Sequence, residues 1–288
     1  GGNINMGYGS ISNGISSISI GYESTSNGNY SLAQGYQSYA NGIASIAMGY
    51  QSNACGAYSV SLGQQNYSQG KNSFAVGLNS TSGGDYSVAL GRNLNVTGEN
   101  SVALGYLNTS SAAGSTAIGR ETQALGEYSL AATYRSVAST AHSLALGFFT
   151  KTGSYGEVAI GMKNKDVAGN GGNFVSTDRL FVIGNGWDTR SDALVMLKNA
   201  DTTLYGNMNI NKGLNVLGRT NLSGSLNVGK GLTVQGDTNI AGTLSVGGNF
   251  YSGAYQTITT NGSTTLNLTS YNNYIYTMDG NNLIFASP

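Results

Sequence analysis

One spacing governs the first half of this chain. A serine followed by apolar, small, apolar and glycine residues begins at Ser17 and recurs at Ser31, Ser45, Ser59, Ser73, Ser87, Ser101, Ser115, Ser129 and Ser143, always 14 residues apart. Asn3 and Glu157 carry the register on at either end. A second glycine column runs through Gly14, Gly28, Gly42, Gly56, Gly70, Gly84, Gly98 and Gly126. So short a period, punctuated twice by glycine, predicts a coil of two short strands joined by two tight turns, the glycines supplying the positive φ such turns demand. Stacked coils rise about 4.8 Å each, so the repeats predict a rod on the order of 55 Å long in which no coil folds alone.

Composition removes the competing classes. The 288 residues include 44 glycines but a single proline, Pro288, which excludes collagen. With 39% hydrophobic and only 9% charged residues the chain is expected to fold rather than stay disordered. Thirteen basic and thirteen acidic residues cancel, leaving no basic patch for nucleic acid or an anionic membrane. No apolar run approaches the ~20 residues of a membrane helix, so no membrane insertion is expected of this segment. One cysteine, Cys55, and one histidine, His142, permit neither an internal disulfide nor a Cys/His metal site. No cofactor or metal is therefore expected.

Side-chain size assigns the faces. In the first strand of each coil Val60/Leu62, Val88/Leu90, Val102/Leu104 and Leu144/Leu146 flank small residues at Ser61, Ala89, Ala103 and Ala145. The second strand carries small Ser24/Ser26, Ser38/Ala40, Ser52/Ala54 and Ser136/Ala138. A thin coil has room inside only for the small columns, so the large ones point outward. A continuous apolar stripe along a rod exceeds what a monomer leaves exposed, and other chains are expected to bury it. The segments Tyr86-Ser87-Val88-Ala89-Leu90-Gly91 and Asn100-Ser101-Val102-Ala103-Leu104-Gly105, repeated at this period, resemble the head repeats of YadA-like trimeric autotransporter adhesins over residues 1–162. The resemblance implies left-handed parallel β-rolls, three side by side, that attach to host surfaces. It makes Val60, Leu62, Val88, Leu90, Val102, Leu104, Leu144 and Leu146 the expected trimer interface. The pattern weakens where Ala132 and Thr133 replace the large apolar residue and glycine, and an irregularity is expected there.

From Thr202 the period becomes six, with Met208, Leu214, Leu226 and Leu232 in one column and Ile210, Val216, Leu222 and Val228 in the next. Such hexads predict either a single-chain triangular β-helix or a three-chain prism. The hexapeptide acyltransferases use the first form with a catalytic histidine, which is missing after His142; the stretch instead resembles the trimeric β-prism shafts of phage tail fibres. The expected organisation is a β-roll over 1–162, an adaptor over 163–201 fixed by interchain ion pairs, a hexad shaft over 202–250 and a small β tip over 251–288.

Two sets of exposed residues are candidates for function. Asp85 and Glu99, one coil apart, have the separation of a retaining glycosidase pair, about 5 Å. They follow a glycine turn on a convex edge without a cleft, so the expectation is a solvated, lysine-paired column and no catalytic residue. Tyr8, Tyr22, Tyr36, Tyr50, Tyr106 and Tyr134 form one column, and Tyr30, Tyr58, Tyr86 and Tyr128 another. Stacked rings hold neighbouring coils together. Tyr22, Tyr36, Tyr50, Tyr106 and Tyr134 are also candidates for a flat contact surface that binds a host glycan or protein with avidity. His142 is expected as a surface turn residue, Cys55 as a partly buried thiol, and Trp187 as either adaptor core or an exposed anchor.

These readings converge on an all-β, homotrimeric, extracellular fibre that attaches to a host, as a virion tail or capsid fibre or as a cell-surface adhesin, and not on an enzyme. A fibre-borne polysaccharide depolymerase and a ligand-free structural filament are the alternatives.

Overall fold

The computed structural model describes residues 2–235, 238 and 241. Within them the chain is all-β, without a helix. Long strands such as Ile18–Tyr22 and Leu32–Tyr36 alternate with two-residue strands such as Thr25–Ser26 and Tyr39–Ala40. Each strand pairs in parallel with the strand 14 residues on, Ile18 with Leu32 and Thr25 with Tyr39. The short strands form an 11-stranded sheet, so the parallel β-solenoid makes about eleven turns.

The faces fall as their side-chain sizes require. Ala33, Ala47, Ala89, Ala103 and Ala145 in the long strands and Ser26, Ala40 and Ala54 in the short strands are fully buried, as is Ser24 just before its short strand. Val60, Leu62, Val88, Val102, Leu104, Leu144 and Leu146 point out of the roll and stay half-buried, while Leu90 is exposed. Larger groups are buried at fewer positions, among them Leu94, Val96, Asn66 and Asn108.

Serine hydroxyls inside this narrow core need partners, and the sequence supplies them in pairs. Ser26 Oγ lies 2.6 Å from Ser31 Oγ, and the same contact joins Ser68 to Ser73 at 2.8 Å and Ser82 to Ser87 at 2.7 Å. Where alanine replaces the first member, at Ala40 and Ala54, the hydroxyls of Ser45 and Ser59 have no hydrogen-bond partner. A third serine column ties coil to coil: Ser24, Ser38 and Ser52 donate to the carbonyls of Gly35, Gly49 and Gly63, at 2.8, 2.9 and 2.9 Å.

The two glycine columns differ in what they do, and only the strand column takes the positive φ expected of both. Positive φ falls mainly on other residues, two per coil, such as Glu23 at 51° and Tyr30 at 62°. Each of these turns its N–H onto the coil before: Glu23 N bonds Tyr8 O and Tyr30 N bonds Ile15 O, both at 2.8 Å. That bond offsets the cost of a left-handed conformation in a bulky residue, about 1–2 kcal/mol. The glycines of the second column, Gly28 for instance, do not adopt positive φ; a Cβ there would lie 1.9 Å from Gly42 O. The strand glycines combine both reasons, Gly49 having φ of 128° and a Cβ position 1.9 Å from Gly63 O.

The expected irregularity at Ala132 and Thr133 does not break the ladder. Thr133 adopts φ of 89°, pairs in register with Gly119 and Gly147, and its hydroxyl donates to Gly147 O.

After the last coil the sheet continues and then reverses. Arg179–Asn185 adds in parallel to Val158–Met162, Asp192–Leu197 pairs with it antiparallel, and Thr202–Leu204 pairs antiparallel again. Several charged residues of this segment pair within the chain. Glu157, buried in the serine column, accepts from Gly153 N at 2.7 Å and Ser154 N at 2.9 Å. Arg179 Nη2 sits 2.7 Å from Glu157 Oε1 as an ion pair angled off a hydrogen bond, and Arg179 Nη1 donates to Lys165 O at 2.9 Å. Asp192 Oδ1 accepts from Lys165 N at 2.8 Å, and Lys198 approaches Asp178 at 3.9 Å.

This compact unit runs to Gly213, and a second begins at Leu214. Residues 206–235 carry no strand and are exposed throughout. The hexad positions from Gly242 onward and the expected tip at 251–288 lie outside the described residues.

Two stability predictions follow from the core. Ser59→Ala removes an unpaired buried hydroxyl and is expected to stabilise by about 1 kcal/mol, whereas Ser82→Ala breaks a bonded pair and destabilises by about the same amount. Thermal unfolding of both variants checks this, and equal losses would contradict it. Burial raises the Glu157 pKa above 4.5, against the opposing pull of Arg179. An acid whose folded pKa is raised takes up a proton on folding, so its contribution is complete below the unfolded pKa and is lost as pH rises through the folded one. The stability of the wild type relative to Glu157→Gln is therefore expected to fall from pH 4 towards pH 7, read as the difference between their unfolding midpoints.

Candidate binding surfaces

The column of residues that follows each strand glycine lies along one turn edge of the roll. Its first four members, Tyr8, Tyr22, Tyr36 and Tyr50, stack with ring centroids 5.2, 5.1 and 5.0 Å apart and planes within 17°. Parallel coils impose this spacing, and offset ring stacking at 4.5–7 Å is favourable. The stack occupies the ring faces, as expected of rings that hold neighbouring coils together. What remains exposed is ring edge and a row of hydroxyls, with Tyr22 42%, Tyr36 40% and Tyr50 44% exposed. Glu23 lies beside Tyr22 and raises its phenol pKa by charge repulsion.

Beside this stack runs a ladder of amides: Gln37 Nε2 donates to Glu23 Oε2 at 2.7 Å, Gln51 Nε2 to Gln37 Oε1 at 3.0 Å and Gln65 Nε2 to Gln51 Oε1 at 3.2 Å. An amide has a donor and an acceptor, so like can stack on like.

Tyr106 and Tyr134 stand in the same column but in other company. Arg92 lies 4.5 Å above the Tyr106 ring, and Arg120 lies between Tyr106 at 5.6 Å and Tyr134 at 5.5 Å. Tyr134 continues onto Phe148 at 5.4 Å, and Phe148 onto the exposed Trp187 at 6.4 Å. In the adjoining column Arg135 packs over Tyr134 at 5.2 Å. Glu121 binds Arg120 and Arg135, and the Arg135 hydrogen bond holds its carboxyl below the usual carboxylate range. The five candidate tyrosines thus form two patches, one phenolic and one of arginines interleaved with rings. Sequence reasoning missed Arg92, Arg120, Arg135 and Phe148, although the 14-residue count from Tyr106 and Tyr134 lands on three of them.

The second tyrosine column is not stacked over most of its length. Tyr30, Tyr58 and Tyr86 alternate with Ala44, Asn72 and Asn100, and only Tyr128 meets an aromatic neighbour, His142, at 5.4 Å. His142 is the exposed turn residue expected. Cys55, expected partly buried, is exposed, with its thiol 3.0 Å from Asn53 Oδ1. Asp85 and Glu99 are exposed; Asp85 Oδ1 accepts from Lys71 N at 2.8 Å, tying adjacent coils through the backbone rather than through a lysine side chain. Among the described residues no group of acidic, His or Cys side chains is arranged to hold a metal.

A family model, the YadA head domain repeat, matches residues 12–38, 40–66, 68–93, 97–122 and 110–132. A search of curated proteins finds no match. The matched spans begin and end within the stacked coils and carry the serine and glycine columns described above. Over residues 12–132 the coils of this roll match the YadA head domain repeat.

Proposed function

We propose that the chain is part of an extracellular homotrimeric fibre whose task is attachment to a host surface, without catalysis. The observation that carries this reading is the outward stripe of Val60, Leu62, Val88, Leu90, Val102, Leu104, Leu144 and Leu146, held on one face of a rigid roll made of YadA head repeats. Three such stripes meeting on a common axis remove from water an apolar surface that a single roll leaves half exposed. The hexads over 202–250 support the same symmetry, because their apolar columns find no partner within residues 206–235 of one chain and a three-chain prism provides one. In a fibre of this kind a cell-surface adhesin and a virion fibre share the same physical design, and the hexad shaft favours the second. Its receptor is a host glycan or protein, contacted many times by a repeating surface that includes the hydroxyl row of Tyr22, Tyr36 and Tyr50.

Light scattering checks the assembly: three times 29.6 kDa, about 89 kDa, is expected, and a folded species at 29.6 kDa would refute it. Leu90→Asp with Leu104→Asp is expected to shift the mass towards that of the single chain. Attachment is checked on an array of host glycans and surface proteins. Changing Tyr22, Tyr36 and Tyr50 together to Ala is expected to lower retention at least tenfold; undiminished binding by an intact trimer would leave those rings with coil stacking alone.

A further inference from the structure

The two turn edges of the roll differ chemically, and they change character together along its length. One edge follows each long strand and contains the columns of Tyr22 and Glu23; the other precedes each long strand and contains the columns of Asn29 and Tyr30. Over the later coils the following edge presents Arg92, Arg120 and Arg135, with its one carboxylate, Glu121, taken up by two of them. The preceding edge presents Asp85, Glu99 and Glu127, all exposed and none in an ion pair among the described residues. In the earlier coils the following edge is the tyrosine stack, and the preceding edge carries Ile15 and Ile43, 57% and 50% exposed. Where one edge is cationic the other is acidic.

We propose that these edges are mates: the following edge of one chain lies against the preceding edge of the next. The inference rests on the trimer reading above and adds to it the lateral seam and its register. Rolls that turn their long-strand faces to a threefold axis bring one edge of each chain against the opposite edge of its neighbour, a heterologous contact that needs two complementary surfaces rather than one self-complementary surface. Rotation about the axis leaves every residue at its own height, so the level of each charge can be read from its number. Arg92 falls midway between Asp85 and Glu99, seven residues from each. Glu127 falls between Arg120 and Arg135, seven residues after one and eight before the other. Lys71, the basic residue on the acidic edge, is level with Gln64 and Leu78 and meets no arginine. Ring stacking holds the three guanidinium groups in place before the chains meet, which reduces the entropy lost when they pair.

A cross-link tests the contact directly. In a Cys55→Ser background, Arg120→Cys is combined with Glu127→Cys and oxidised with copper phenanthroline. The edges stand at opposite ends of a five-residue strand, about 16 Å apart, so a disulfide between these positions joins two chains and not one. A covalent three-chain band on a denaturing gel, lost on reduction and missing from either single-cysteine variant, is the expected result. Charge exchange supplies a second measurement. Glu99→Lys with Glu127→Lys disturbs no ion pair inside the chain and is expected to raise the trimer dissociation constant at least tenfold, with recovery on adding Arg92→Glu and Arg120→Glu. An intact trimer that neither cross-links nor responds to the exchange overturns the seam while leaving the trimer standing. A wild-type chain that is monomeric overturns the trimer reading and the seam with it.

Discussion

Backbone meets backbone at the glycine columns, and the rest of the molecule depends on that approach. With a Cβ position only 1.9 Å from the next coil's carbonyl at Gly28 and Gly49, no side chain fits between the turns. The coils close to the spacing of a β-ladder at their turns as well as in their strands. A roll this tightly wound has little width, so its inside is alanine and serine. Its large apolar residues have nowhere to go but out, which reverses the usual arrangement of a globular protein. The core therefore leans on hydrogen bonds between hydroxyls and carbonyls more than on buried hydrocarbon.

The same spacing decides what the surface tolerates. Each residue has its counterpart about 5 Å away in the next coil, so a residue type is acceptable in a run only if it can stack on itself. Phenol rings and amides satisfy this, as Tyr8 to Tyr50 and Gln37 to Gln65 do. Guanidinium groups do not, and they appear spaced by rings, as Arg92 and Arg120 are by Tyr106, or next to the opposite charge, as Arg135 is to Glu121, while carboxylates follow one another only at the exposed pair Asp85 and Glu99 among the described residues. The scarcity of charge across the first ninety residues is thus a property of stacking, not of solubility.

Much of this was legible in the sequence because a period of 14 leaves few alternatives. The strands, their facing and the identity of the buried columns all follow from counting residues and comparing their sizes. What counting did not supply was the reason for each residue. Glycine was expected for its φ, and the strand column has it, but the second column does not, and Glu23 and Tyr30 take left-handed positions because the N–H that such a turn directs at the preceding coil repays the strain. Thr133 was expected to disturb the strand, yet its hydroxyl finds the carbonyl of Gly147 and the ladder passes through. The tyrosines of the first column stack as their spacing predicts, at Tyr8, Tyr22, Tyr36 and Tyr50. The ion pairs around Arg179 were placed between chains because the sequence gives no sign that Arg179–Asn185 joins the sheet of the roll and brings that arginine onto Glu157. The last case has no periodic signature, and only the fold reveals it.

The reversal of direction at Asp192–Leu197 has a consequence for length. A parallel stack can be extended by any number of identical coils, but an antiparallel strand offers the wrong register to another one, so the hairpin fixes where the stack ends. Every coil between is equivalent to its neighbours in what it needs above and below. Inserting or deleting one 14-residue unit would leave each remaining contact intact and move the far end by about 4.8 Å. Reach is therefore a quantity this architecture can adjust in small equal steps, independently of the surface chemistry it carries.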